Sequence, residues 1–316
     1  MTQLKVSGVP KPGLPPEYPE YLKPIPINNR SVLALLRSYT DEREPEIARW
    51  LYSTWTAEAE ALKYQEIRNA IADGEVPQRV IDEWRQDYSR FITDVMVPEW
   101  TAAATLAGER LAGQINKAVP KVGELFQFSV TGRRIADWIE GHGGELAVNL
   151  TQSQHRALRA VIKQYTVVEP LPVDEVAIRI RPIIGLTERE ALAVSAYRAE
   201  LAKEGTLSAI KIEKKVQDYA AWLHRRRATR IAITETAVAF KQGQRESMIQ
   251  AREKGWFGGR LLKTWLVADD ERLCPECSAM DGETVLFDQP YSNGLMTPQL
   301  HPLCRCAEKY SVEAKQ

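Results

Sequence analysis

The sequence predicts a mainly α fold, an elongated helical body with a small C-terminal β module. Three observations predict it. Apolar residues recur every three or four positions through most of the stretch from Ser31 to Gly255. Strand-like runs become clear only after Leu262. All four cysteines lie between Cys274 and Cys306, where random placement would scatter them.

Taken in order, the first segment is rich in proline, with Pro10, Pro12, Pro15, Pro16, Pro19, Pro24 and Pro26. That density disfavours helix and predicts an extended arm over 1–30, either a free tail or a strap that orders against a partner. A helical domain is expected over 31–168. Pro45 suits a first helical turn after Asp41 and Glu42, and Ile47, Leu51, Trp55, Ala59, Leu62 and Ile67 follow at helical spacing up to Gly74. Val80, Trp84, Tyr88, Phe91 and Val95 mark a second helix, which Pro98 is expected to kink or break. Trp100–Ala118 is alanine-rich and reads as a helix with close neighbours. Residues 125–134 read as a short extended segment. Gly141, Gly143 and Gly144 are expected to end the helix that follows, with Thr151 capping the next.

A second helical domain is expected over 169–260. Asp174–Ile180 is a short helix, and Thr187 with Glu190 is a capping box for a helix closed by Gly205. A long helix then runs from about Ser208 to Gly255, interrupted at Gly243. Its densest basic cluster is Arg225, Arg226, Arg227 and Arg230, read either as contacts to DNA phosphate or an acidic partner, or as a solvated face. Thr234-Glu235 is a polar pair on an otherwise apolar stripe. In the last part, 261–316, the runs KTWLVADD and ETVLFDQ read as two strands turned at Asp281-Gly282, and Trp256 and Trp265 read as core.

The terminal module carries the chemistry. Cys274-Pro-Glu-Cys277 and His301-Pro-Leu-Cys304-Arg-Cys306 form two knuckles. Paired thiolates and an imidazole at this spacing are what tetrahedral Zn²⁺ takes. Five side chains (Cys274, Cys277, His301, Cys304, Cys306) compete for four positions, and spacing does not choose among them. A closed four-ligand site is structural, because it keeps no position for water or substrate. The β module is therefore expected to be zinc-stabilised, the ion supplying what a small core cannot.

Several classes are set aside. Lys plus Arg and Asp plus Glu each number 42, which argues against a histone-like surface but allows local basic patches. The start has no signal-peptide h-region and no run is long enough to span a membrane, so folding in a cytosol is the expectation. No P-loop, nucleophile elbow or His-Glu-x-x-His is present. His142, His155 and His224 stand isolated, and no nucleophile, base and oxyanion hole assemble. The expectation is a protein that is not an enzyme.

The stretch IAITETAVAFKQGQ, then KTWLVADDERLCPECSAMDGETV, then LMTPQLHPLCRC resembles the phage head-morphogenesis family named after the F protein of phage Mu. The matching features are Thr234-Glu235, Trp265, Asp269-Asp270, Cys274 to Cys277, Asp281-Gly282 and His301 to Cys306. Residues 183–201 and the arginine-rich helix add to it, so it covers about 140–310. One departure is Ile233, where the family often has arginine. The resemblance implies a minor head protein of the virion that associates with the portal or the major capsid protein, with packaged DNA a further partner and DNA retention or ejection a further role. Two alternatives from other classes are an HNH-like or zinc-ribbon nuclease and a non-catalytic DNA-end binder. Against the nuclease, His301 is the only histidine near the module and is itself a ligand candidate, which leaves no general base.

Overall fold

The computed structural model describes residues 25–268, 270 and 273–312. Most of the prolines of the arm, together with Asp269, fall outside these residues. Nine α-helices are described: α1 (Ser31–Ala61), α2 (Tyr64–Asp73), α3 (Gln78–Phe91), α4 (Val97–Ala118), α5 (Arg133–Lys163), α6 (Val173–Ile180), α7 (Glu188–Glu204), α8 (Ala209–Glu253) and α9 (Pro275–Met280). Four strands accompany them: β1 (Ile25–Pro26), β2 (Leu261–Leu266), β3 (Thr284–Leu286) and β4 (Ala307–Val312). The protein is mostly helical with a small antiparallel sheet near its C-terminal end.

The chain forms two compact units, neither contiguous in sequence. Among the described residues, one comprises those up to Arg43, Glu99–Ala136 and those from Ile233 onward; the other comprises Glu44–Pro98 and Asp137–Ala232.

In the first unit the sheet runs β1-β4-β2-β3, all neighbours antiparallel. Ile25–Pro26 opposes Val312 and Ser311. The pairing continues beyond the strand: Ile27 N–H donates to the Tyr310 carbonyl at 2.9 Å, Tyr310 N–H donates to Asn28 Oδ1 at 2.6 Å, and Asn28 Nδ2 donates to the Glu308 carbonyl at 2.9 Å. The end of the expected arm is therefore an edge strand of the protein's own sheet, a position that tolerates Pro26. The sheet packs on α4 and α8 through Leu111, Ile115, Phe126, Met248, Trp256, Leu261, Phe287 and Tyr310.

The C-terminal half of α8 is buried on nearly every side, so its polar residues serve as anchors. Glu246 receives two bonds from Arg134 at 2.8 and 2.9 Å. Gln250 clamps both backbone groups of Ser129, and Ser247 Oγ donates to the Gly108 carbonyl at 3.0 Å. Gly243 does not interrupt the helix. A Cβ there would stand 2.2 Å from the Ala104 carbonyl oxygen, so glycine lets α8 and the alanine-rich α4 approach backbone to backbone.

In the second unit, Gly185 (φ 89°) lies under Trp55, whose Cγ would be 2.3 Å from an added Cβ. Trp55 Nε1 donates to Tyr88 Oη at 3.0 Å, and Tyr88 donates to Gln154 Oε1 at 2.6 Å. Gln154 Nε2 then donates to Glu58 Oε2 at 2.9 Å. Burial pushes the Glu58 carboxyl up to about 8. The capping box forms as expected: Glu190 N–H reaches Thr187 Oγ1 at 3.3 Å and Thr187 N–H reaches Glu190 Oε2 at 3.0 Å. Gly74 and Gly205 close their helices in the left-handed conformation.

Several local expectations are corrected. Pro45 sits inside α1 rather than at its start; it is exposed, as is Asp41, whose carbonyl it deprives of a partner, so water can take that bond. Before Pro98 the chain widens into a π-turn over Ile92–Met96, with Val97 N–H donating to the Ile92 carbonyl, and α4 continues through the proline. Helix α5 runs unbroken through Gly141, Gly143 and Gly144. Buried Leu146, Ala147 and Leu150 outweigh roughly 1 kcal/mol of propensity per glycine, and Thr151 back-bonds to the Ala147 carbonyl instead of capping. Residues 125–132 join no sheet; Asn116 holds Phe126 through both of its backbone groups. Asp281-Gly282 does not turn β2 directly into β3, because α9 lies between them.

Candidate metal centre

The first knuckle is the start of a helix. Cys274 caps α9, its Sγ accepting the Cys277 N–H at 3.2 Å, and Pro275 occupies the first turn where its missing N–H costs nothing. This brings both sulfurs to one side. The second knuckle is a tight turn closed by Cys304 N–H on the His301 carbonyl at 3.1 Å. Pro302 and then Leu303, with φ 65°, occupy its centre, the pattern of a type II turn.

The knuckles meet. His301 Nε2 lies 3.2 Å from both Cys274 Sγ and Cys277 Sγ, and Cys277 Sγ lies 3.9 Å from Cys304 Sγ. With Zn–S bonds of about 2.3 Å, the sulfurs of a tetrahedron stand roughly 3.8 Å apart. Two triads therefore share one residue: Cys274, Cys277 and His301 form one, and Cys277, Cys304 and Cys306 form the other. Between the knuckles is a cavity of about 20 Å³, room for a single ion or water, bounded by Cys274, Cys277, His301 and Cys306. His301 Nδ1 is 2.7 Å from the Pro302 carbonyl; as donor there it leaves Nε2 bare toward the sulfurs, the tautomer a metal ligand needs. The Cys304 thiol is drawn down to about 4, first by the hydrogen bond from Cys306 and further by the Lys241 ammonium, whereas burial pushes Cys277 up to about 12. The donor set fits a metal ion, and all five sequence-predicted residues are brought together.

The residues holding this arrangement lie mostly outside it. Thr234 Oγ1 accepts the Leu303 N–H at 3.0 Å. Buried Lys241 donates to the Pro298 carbonyl at 2.6 Å, to Gln299 Oε1 at 2.8 Å and to the Cys304 carbonyl at 3.5 Å, three acceptors for three donors. Asp270, in the segment between β2 and α9, receives Arg305 of the second knuckle at 2.5 Å. Asp281 takes both Arg30 at 2.9–3.0 Å and the Val267 N–H at 3.2 Å. Trp265, fully buried and edge-on to Tyr291 at 5.0 Å, packs with Cys277, Cys304 and Cys306 in one small core. Lys241 escaped the sequence reading, although a lysine between Phe240 and Gln244 on a buried helix was a signal. Glu235 is half-buried beside Thr234 on α8.

The basic cluster divides. Arg225 and Arg226 are exposed, Arg226 over the Trp222 ring at 4.6 Å. Arg227 is not a surface contact: it is buried, bonding the Gly185 carbonyl and Ser153 Oγ and facing the Trp55 ring at 5.3 Å. Its guanidinium serves the core of the second unit, because the carbonyl freed at the Gly185 turn needs a donor. Arg230 pairs with Glu190 at 3.1 Å.

No curated protein and no solved structure matches the chain. No described helix is long and apolar enough to cross a membrane. From within α6 into β4, taking in Thr234 and both knuckles, residues 174–308 match the family described as Phage Mu protein F like protein, and over that stretch the chain is similar to this phage head-related family.

Proposed function

We propose that the protein is a minor head protein of a tailed phage, carried in the virion and docking on portal or capsid protein during head assembly, with no catalytic role. The observation that carries this reading is the family match, which includes both knuckles. The site's construction agrees with it. Four sulfur or nitrogen donors would close around Zn²⁺, and Cys274, Cys277, His301 and Cys304 are the set linked by distances of 3.2, 3.2 and 3.9 Å. Such an ion would clamp the module and hold no substrate. His301 Nε2, turned onto two sulfurs, is not placed to serve as a general base.

The test is incorporation into heads. Full-length protein should copurify with heads or portal, and removal of residues 1–24 or the pair Arg225→Glu and Arg226→Glu should reduce it. Undiminished incorporation in both variants would defeat these contacts, and absence of the wild-type protein from purified heads would defeat the assignment itself. DNA retention or ejection would show as altered genome loss from heads lacking the protein.

A further inference from the structure

A groove between α7 and α8 in the second unit encloses about 500 Å³, the size range of small-ligand sites. It is lined by Thr187, Arg189, Tyr219, Trp222, Arg226 and Arg230. Its one acid, Glu190, is committed to the Thr187 N–H and to Arg230. Arg189 and Arg226 are exposed, and neither has a carboxylate partner among the described residues. Beside them the rings form a ladder: Tyr197 to Tyr219 at 4.9 Å, Tyr219 to Trp222 at 5.8 Å and 19° between planes, then Arg226 over Trp222 at 4.6 Å. Trp222 is 44% exposed. Tyr219, Trp222, Arg226 and Arg230 follow one another at three- or four-residue steps, so one stripe of α8 carries both ladder and charge.

A solvated salt-bridge face would not need stacked aromatic rings, and an apolar docking face would not need unpaired arginines. Together they suit a ligand with a flat ring and an anionic group: the base stacks on the ladder's guanidinium end and the phosphate meets Arg189 and Arg226. We propose that this groove binds single-stranded nucleic acid, seating about one nucleotide. A duplex keeps its bases stacked and offers only phosphates; an acidic peptide has no use for the ladder.

The test is fluorescence anisotropy of a labelled oligothymidylate with the full-length protein across a salt series, and it does not depend on head association. The single strand should bind more tightly than a duplex of equal length. Trp222→Ala should weaken binding about tenfold and Trp222→Phe should restore it. Arg189→Gln and Arg226→Gln should each lower the log–log salt slope by about 0.7. The pair Arg156→Gln and Lys163→Gln on α5, outside the groove, should bind as wild type. Thermal melts establish that each variant is folded. The proposal is overturned if the wild type does not bind the strand or if folded Trp222→Ala binds unchanged. It is equally overturned if the α5 pair weakens binding as much as the groove variants, or if polyglutamate competes as well as the oligonucleotide.

Discussion

Thr234 Oγ1 accepts the backbone N–H of Leu303 at 3.0 Å, at the one described non-glycine residue with positive φ. A hydroxyl on a long helix thus holds the strained corner of the turn that presents His301 and Cys304. Thr234→Val keeps the shape and removes the acceptor. It should cost about 1 kcal/mol and speed metal loss to a chelator several-fold, while Thr234→Ser stays near wild type. Chelator-release kinetics and urea titration check both. Unchanged release from the valine variant would dissociate the hydroxyl from the site.

Leu303 itself tests the turn. The left-handed conformation costs a non-glycine residue about 1–2 kcal/mol, and glycine returns roughly 0.5–1 kcal/mol of that to the unfolded chain's entropy. Leu303→Gly should therefore be neutral to slightly stabilising, and Leu303→Ile clearly destabilising, by denaturant midpoint.

Cys277 belongs to both triads, so Cys277→Ser should abolish stoichiometric metal and lower the melting temperature. Cys306→Ser should retain the ion, since the other four donors remain linked. Metal content by mass spectrometry of the purified variants decides. Loss of metal from Cys306→Ser would place Cys306 in the set and displace Cys274 or Cys304.

Glu58 predicts a pH dependence. Its carboxyl is raised to about 8 by burial, from an ordinary value of 4.5. The folded chain then holds a proton that the unfolded chain releases across this interval, so the contribution is full below about pH 4.5 and is lost as pH rises to about 8. Glu58→Gln should flatten that slope and stabilise the protein at pH 8 by on the order of a few kcal/mol. Melting temperatures of both proteins from pH 5 to about 8 measure it, and parallel curves would refute it.

Gly243→Ala separates propensity from packing. On an exposed helix the change stabilises by about 1 kcal/mol. Here the methyl would meet the Ala104 backbone at 2.2–2.5 Å, so a loss of about 2–3 kcal/mol is expected by denaturant titration.

The sequence by itself determined what depends on neighbours a few residues apart. The capping box at Thr187, the glycine stops at Gly74 and Gly205, and the close spacing within each Cys/His knuckle are set by neighbours a few residues apart. Only the tertiary structure decided what those elements meet. Thr234 and Leu303 are 69 positions apart, and Asn28 and Tyr310 are 282 apart. No local pattern encodes such pairs, because each partner alone is an ordinary residue whose mate lies far along the chain. Burial made the same decision for Arg227, which reads like Arg225 and Arg226 in sequence but lies inside the second unit. It also overrode local preference in α5, where an apolar face carries the helix through three glycines, and at Gly243, where contact with α4 requires the residue that propensity disfavours.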